Sequence, residues 1–338
     1  MGIKKLRPLI THVAPDCIEY KTLDDLKNIC VGIDTFIFIY KGILGHRQYN
    51  KGTDKNNINN EIVTHLEYIF DIELKLRKHN ITGLWISDGK QPCIKKDELM
   101  KRKLKKQQLQ KKYEMSPNYN PDMPNCQKNF TVDKTILSNL HKMLRLMGVP
   151  YVIANGEADS LGSFLNKSKL LDALITEDWD ALPFGCQNLI KNFSTKESIY
   201  TINSDQLLAS LDLTYEQLID VCILLGTDYC PKIKGLEGFD AYYIYREFKD
   251  MNKFIMHLEK LNSSKFKYNI PCDFLEKWCN AKTYYTEMIQ QKNIPSKIFQ
   301  KRPQKIKLIK FLCDECLFDK HKTIKKVNKL MQLYYKNN

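Results

Sequence analysis

Residues 30–40 read CVGIDTFIFIY, and the first five of them, Cys30 to Asp34, make a short apolar run that ends on an aspartate. Farther along, Gly83 to Asp88 (GLWISD) repeats that form. Between the two, Glu61 to His79 sets Ile62, Leu66, Ile69, Phe70 and Leu74 on one helical face. Strand, helix and strand in that order predict an α/β chain with a mainly parallel sheet and helices packed on its faces. In such sheets ligands collect beyond the carboxyl ends of the strands. Asp34 and Asp88 are expected there.

The alternation continues outward. Ile94 to Tyr113 has helix-forming residues but almost no apolar stripe, so this helix cannot be core. Ser116 to Phe130, with Pro117, Pro121 and Pro124, reads as an irregular bend. A helix over Val132 to Met147 then leads into a strand at Tyr151 to Ile153. Gly156 to Leu165 reads as another helix, and Ala173 to Ile175 as a strand running into TEDWD. From Thr214 to Leu225 an apolar helix ends at Gly226, with Thr227, Asp228 and Tyr229 in the turn. Lys234 to Gly238 makes a second turn before a helix over Phe239 to Phe248. Two helices around a short glycine-containing turn have the shape of a helix-hairpin-helix, which offers backbone N–H groups to a phosphate.

A chain of 338 residues with 43% hydrophobic content can bury a sizeable core, which excludes disorder throughout. Its apolar runs are broken by charges, so none is long enough to cross a bilayer. The opening MGIKKL has no apolar stretch of the secretory kind. An intracellular protein is expected, in the nucleus first and the cytoplasm as the alternative. Eleven cysteines, an odd number spread over the chain, are read as free thiols. Cys313 and Cys316 form a C-x-x-C with His321 nearby, but no second pair completes a zinc site.

The net charge of +14 is unevenly placed. Residues 90–112 carry ten Lys or Arg against Asp97 and Glu98, and residues 290–338 carry thirteen against Asp314, Glu315 and Asp319. The rest of the chain is therefore mildly acidic. That distribution suits a polyanion held by basic segments while acids face it; a solvated Lys-rich helix face is the plainer reading of either run.

Seven acids sit where elements end: Asp34, Asp88, Glu157, Asp159, Asp178, Asp180 and Asp228. Each alone fits a turn or a helix N-terminus. Gathered in one cleft they would repel one another unless divalent cations lay between them. Oxygen-only ligation points to Mg²⁺ or Mn²⁺, and two such ions roughly 3.5–4 Å apart support hydrolysis of a phosphodiester.

The motifs that carry these acids resemble those of the flap endonucleases of the XPG nuclease superfamily. MGIKKLRPLITHVAP is similar to that family's N-terminal signature, VGIDTFIFIY to its first acidic motif and SDGKQP to its second. GEAD, TEDWDALPFG and LLGTDYCPKIKG follow in the family's order, and IKLIKFLCDECLFDKHKTIKKVNKL resembles its region beyond the nuclease core. The resemblance implies a PIN-like fold with a helical arch. It also implies a structure-specific 5′ flap endonuclease with 5′–3′ exonuclease activity, in replication or repair, using two Mg²⁺ ions with Mn²⁺ as a substitute. Asp34, Asp88, Glu157 and Asp159 match the acids around one metal, Asp178 and Asp180 those around the second, and Asp228 an outer acid. Lys95 and Arg102 match the basic pair that faces the scissile phosphate. Tyr40 matches an aromatic that stacks on a base, with a half-buried tyrosine at a strand's end as the alternative. Gly2 matches a glycine near the DNA, Arg47 and Gln48 match residues at the junction's bend, and Lys232 and Lys234 are assigned to DNA binding.

The resemblance divides the chain into an N-terminal nuclease region (1–93), an arch (94–147), an internal nuclease region (148–226), a helix-hairpin-helix region (227–260) and a basic C-terminal helical region (261–338). Two departures stand out. Asp159 replaces a usual Glu, and GLEGFDA, with Glu237 and Asp240, replaces a glycine-proline hairpin followed by basic residues. No sliding-clamp docking motif is legible after Tyr335, so no clamp partnership is carried over. Branched DNA is the expected partner of a monomer, with no membrane involved. A Holliday-junction or bubble-cutting relative and an inactive junction-binding protein are the alternative functions.

Overall fold

The structure is a computed structural model that describes residues 2–3, 5–114, 130–193, 198–237, 239–264, 267–287 and 297–337. In chain order the elements begin with α1 (Leu6–Val13), β1 (Ile18–Lys21), β2 (Cys30–Asp34), α2 (Thr35–Tyr49), α3 (Thr64–Lys78), β3 (Thr82–Ser87) and α4 (Lys96–Glu114). Then come α5 (Lys134–Leu146), β4 (Tyr151–Ile153), α6 (Ala158–Lys167), β5 (Ala173–Ile175), β6 (Asn188–Lys191), β7 (Ile199–Asn203), α7 (Ser204–Leu211) and α8 (Tyr215–Gly226). The rest is helical: α9 (Asp240–Phe248), α10 (Met251–Ser264), α11 (Phe274–Thr286), α12 (Lys305–Lys310) and α13 (Lys320–Asn337). The chain divides into two compact units, one of residues 1–21, 90–98 and 155–292, the other of residues 22–89, 99–154 and 293–338.

In the first unit, β5 and β6 pair in parallel with Leu174 opposite Leu189, and β6, β7 and β1 continue antiparallel. The antiparallel strands β1, β6 and β7 were not foreseen in the sequence. The core centres on α8, whose residues Leu218 to Leu225 are all buried, Asp220 among them with its hydrogen-bond partners. A capping box starts this helix: the Thr214 hydroxyl accepts from the Gln217 amide while the Gln217 side chain accepts from the Thr214 amide. Leu6, Leu9 and Ile10 of α1, at helical spacing, bury against the same core.

In the second unit, β2, β3 and β4 are parallel neighbours, with Asp34 opposite Ile86 and Trp85 opposite Tyr151. Val31, Ile33, Leu84, Trp85 and Ile86 are almost wholly buried, as expected of parallel strands covered on both faces. Phe38 of α2 stands edge-on to Trp85 at 5.4 Å. The α3 helix starts at Thr64, three residues later than the sequence pattern suggests, because Ile62 is held in a bridge to Asn56. The Asp133 side chain caps α5 by accepting from the amides of Thr135 and Ile136, which contributes about 1 kcal/mol to that helix. The expected bend at 116–130 lies outside the described residues except for Phe130. None of the described helices is long and apolar enough to cross a membrane.

Two placements correct the sequence reading. Tyr40 does not sit at a strand's end. It lies inside α2, because the Asp34 carboxylate accepts from the Phe36 amide at 2.9 Å and turns the β-branched run FIFIY into a helix. The hairpin after α8 does not present all its amides either: Lys234 and Asn269 exchange backbone hydrogen bonds of 3.1 and 2.9 Å. Gly235 there has φ +88° and no room for a Cβ, which would stand 2.1 Å from the Lys267 carbonyl oxygen.

Candidate active site

In the first unit the acids are set by two local devices. Glu157 occupies the N-cap of α6 with extended backbone and Asp159 falls in its first turn, where negative charge meets the helix dipole. After β5 the chain folds over its own side chains. The Thr176 hydroxyl accepts from the Asp178 amide, and Asp178 Oδ1 accepts from the Asp180 amide, both at 3.1 Å. Gly2 closes this turn from outside: at φ +67°, a Cβ on it would stand 1.7 Å from Asp178 Oδ1 and 3.3 Å from Asp180 Cγ. Asp228 follows α8 directly.

Lys95, at the end of a single 3-10 turn, ties these acids together. Its ammonium pairs with Glu157 and lies 3.4 Å from Asp228. Burial alone would lower its pKa, but Glu157, Asp228 and Asp180 outweigh it and hold the ammonium charged, above the ordinary lysine range. Asp180 is fully buried. That burial, with the adjacent Asp178 charge, raises its carboxyl well above the usual range against the pull of Lys95.

Four residues that the sequence did not reveal as site residues complete the cluster. Tyr229 and Tyr284 both donate to Glu157 Oε2, at 2.5 and 3.0 Å, and Tyr285 donates to Asp180 Oδ1 at 3.2 Å. Lys191, buried at the end of β6, donates to the Asp178 carbonyl at 3.0 Å and lies 4.2 Å from the centre of the Trp179 ring. Burial draws its pKa down to about 8 although Glu177, Asp178 and Asp159 oppose the shift. A lysine inside the apolar run LIKNF was the one available signal. Tyr284 and Tyr285 gave none.

In the second unit Asp34 and Asp88 emerge at the carboxyl ends of the neighbouring strands β2 and β3, and Asp34 is buried. Between them in sequence position, Ser87 Oγ lies 3.3 Å from Thr35 Oγ1 and 2.9 Å from His141 Nε2. Tyr40 packs on Phe130 at 4.7 Å between ring centres, and its phenol is raised by burial and by the Asp88 charge. Arg47 grips Asp54 with two bonds of 2.9 and 2.6 Å and lies over the same Phe130 ring. Gln48 and, on α4, Arg102 are exposed. Lys232 and Lys234 of the first unit are also exposed.

The structure thus brings together Gly2, Lys95, Glu157, Asp178, Asp180 and Asp228 in one unit, and sets Asp34 beside Asp88 in the other. Carboxylates outnumber the cations in the first group, and the donors are all oxygen. That set suits a hard divalent ion rather than zinc or copper. Among the described residues, no three His, Cys, Asp or Glu side chains close tightly enough to enclose a metal. The Lys95 ammonium and the three phenols already engage carboxylate oxygens that a cation would use.

Against known proteins, the chain matches the XPG N-terminal domain over residues 1–109 and the XPG I-region over residues 148–228. It is 32% identical over 331 residues to Flap endonuclease 1-1 of Paramecium tetraurelia, an alignment covering 93% of this chain and 83% of that protein. This chain belongs to the flap endonuclease family. Flap endonuclease 1 of Saccharomyces cerevisiae is 30% identical over 334 residues, covering 98% of this chain and 87% of its own. The solved flap endonuclease-1 from Methanococcus jannaschii superposes with a TM-score of 0.72 at 26% identity, covering 95% and 97% of the two chains. The catalytic core of Rad2 in complex with DNA substrate shares the fold, with a TM-score of 0.73 at 20% identity over 95% and 98%. Family membership makes this a metal-dependent, structure-specific nuclease with the mixed, mostly parallel, helix-flanked sheet of the flap endonuclease fold. The N-terminal match contains Gly2, Asp34, Tyr40, Asp88, Lys95 and Arg102, and the I-region match contains the other five acids.

Proposed function

We propose that this flap endonuclease binds branched DNA carrying a 5′ flap and hydrolyses one phosphodiester near the branch point, with a 5′–3′ exonuclease activity from the same site. The observation that carries the reading is the cluster of Glu157, Asp178, Asp180 and Asp228 around Lys95, built from four separate segments of the sequence. Two Mg²⁺ ions, when bound, supply an activated water and charge neutralisation at the leaving oxygen. Asp34, Asp88, Glu157 and Asp159 are assigned to one ion and Asp178 and Asp180 to the other, with Asp228 farther out.

The chain's own groups do the rest. The surrounding carboxylates hold Lys95 charged, and on arrival of DNA its ammonium is exchanged from Glu157 to the scissile phosphate, where it stabilises charge that develops during cleavage. Arg102, exposed on the polar helix α4, supplies the second positive group. Tyr40 supports the displaced base by stacking, backed by Phe130 and Arg47. The nucleus is the proposed compartment, with the cytoplasm as the alternative, and a monomer the proposed state; no clamp partnership is carried over.

A labelled 5′ flap, a four-way junction and a bubble, each with and without Mg²⁺, test this together with Asp180→Ala. Mg²⁺-dependent cutting of the flap in preference to the others, abolished in Asp180→Ala while flap binding persists, is expected. Preferential cutting of the junction or bubble would move the protein to a sister activity, and undiminished cutting by Asp180→Ala would refute the site.

A further inference from the structure

Tyr284 and Tyr285 of helix α11 lie more than a hundred residues beyond Glu157 and Asp180, the acids they touch, and nothing in the proposed reaction requires the helix. Its residues Trp278, Lys282 and Tyr285 recur at helical spacing on one face. The first two are fastened to one buried carboxylate: Trp278 Nε1 donates to Asp220 Oδ1 at 2.7 Å and Lys282 Nζ to Asp220 Oδ2 at 3.0 Å. The same Asp220 takes a third bond of 2.6 Å from the Tyr245 hydroxyl. This fixes both the rotation and the height of α11 against α8. Neighbouring residues on a helix point about 100° apart. Tyr284 and Tyr285 therefore diverge, one to Glu157 at 3.0 Å and the other to Asp180 at 3.2 Å.

Packing alone does not account for the two hydroxyls. Their rings join Phe184 and Tyr229 in a cluster with centres 4.8 to 6.4 Å apart, and phenylalanine would fill the same places, as Phe184 does. A buried hydroxyl is costly unless it finds an acceptor, and here each finds a carboxylate. Toward an ionised carboxylate a phenol acts only as a donor, so Tyr285 fixes Asp180 Oδ1 while Tyr284 and Tyr229 fix Glu157 Oε2, and the other Glu157 oxygen, held by Lys95, is the one that a cation would take over. We infer that Tyr284 and Tyr285 are positioning residues that hold Glu157 and Asp180 at a set separation for divalent-cation binding, Tyr284 acting beside Tyr229 on Glu157 and Tyr285 on Asp180.

The role extends the proposed two-ion site and rests on it. Groups that orient metal ligands in this way change metal affinity by about 10- to 100-fold when removed. The test is a Mn²⁺ titration followed by electron paramagnetic resonance on the whole protein without DNA. It compares wild type, Tyr284→Phe, Tyr285→Phe and both tyrosine variants in an Asp180→Ala background. Each single variant should raise the half-saturating Mn²⁺ concentration about tenfold, with the metal-free melting temperature nearly unchanged, because the rings stay. In the Asp180→Ala background, where the Tyr285 hydroxyl has lost its acceptor, Tyr285→Phe should have no further effect, whereas Tyr284→Phe should keep its own. Wild-type Mn²⁺ affinity in both single variants would overturn the inference and leave the two-ion reading standing. A melting temperature that falls without any change in Mn²⁺ affinity would assign the hydroxyls to stability and overturn it as well. Absence of Mn²⁺ uptake by the wild type would defeat the two-ion reading and this inference with it.

Discussion

Replacing Gly2 by alanine adds one methyl group at the point where the N-terminal segment closes on the Asp178 turn. Two costs can be read from the structure. The backbone at Gly2 has φ +67°, a left-handed conformation that costs an L-residue about 1–2 kcal/mol. The new Cβ would stand 1.7 Å from Asp178 Oδ1, and contacts under 3.0 Å are not tolerated, so that oxygen must retreat by at least about 1.3 Å. The same oxygen accepts from the Asp180 amide at 3.1 Å, so its retreat also loosens the turn that sets Asp180. Misplacing a catalytic group by about 1 Å costs on the order of 100-fold in rate. Single-turnover cleavage of a 5′ flap should therefore slow by roughly two orders of magnitude. Flap affinity, measured by fluorescence anisotropy, should change little, and unfolding should be easier by about 1–2 kcal/mol. A glycine needed only for close approach to DNA would give the opposite division, with lost affinity and a preserved single-turnover rate. Cutting by Gly2→Ala at the wild-type rate would refute the claim that Gly2 holds the Asp178 turn in place.

Lys95→Ala and Arg102→Ala should each slow cleavage far more than they weaken flap binding, since their contacts are strongest where charge develops; equal losses in rate and affinity would make them ordinary backbone contacts. Arg77 is wholly buried and bonds Glu73 at 2.8 Å and the Met147 carbonyl at 3.1 Å. Arg77→Met leaves Glu73 buried without its cation, so urea unfolding should show a loss of about 3–5 kcal/mol, and a loss below about 1 kcal/mol would mean that the pair is dispensable. His65 is buried, with Nε2 3.2 Å from the Ile136 carbonyl oxygen, and burial draws its pKa down to about 4. Because the unfolded chain takes up the proton near pH 6.5 and the native one does not, stability falls from pH 6.5 to 4 by roughly 3 kcal/mol in all. His65→Met should flatten that slope in denaturant titrations across the window, and an unchanged slope would contradict the assignment.

The parallel part of the fold was legible because CVGID and GLWISD are continuous apolar runs closed by aspartates, the form that a strand covered on both faces takes. Strands β1 and β7 were not, since IEYK and IYTIN are short, carry polar residues among the apolar ones and gain their identity by pairing, β1 with β7 and β7 with β6 as well. Tyr40 was misplaced because FIFIY has the composition of a strand, and the deciding interaction is a side-chain cap from Asp34 that composition does not display. The acids were visible at element ends. Their supports were not, because Tyr284, Tyr285 and Lys191 reach them only through tertiary packing of α11 and β6. The hairpin shows the converse: its glycine was legible, but its pairing with Asn269, over thirty residues away, was not.

The account stands on the acids serving as ligands of a pair of divalent cations. Anomalous diffraction from crystals of the protein grown with Mn²⁺ and a 5′ flap measures that directly. Two manganese peaks roughly 3.5–4 Å apart, ligated by carboxylates drawn from Asp34, Asp88, Glu157, Asp159, Asp178 and Asp180, are the expected result. Manganese bound elsewhere, or a single ion that neither Asp34 nor Asp180 approaches, would contradict it.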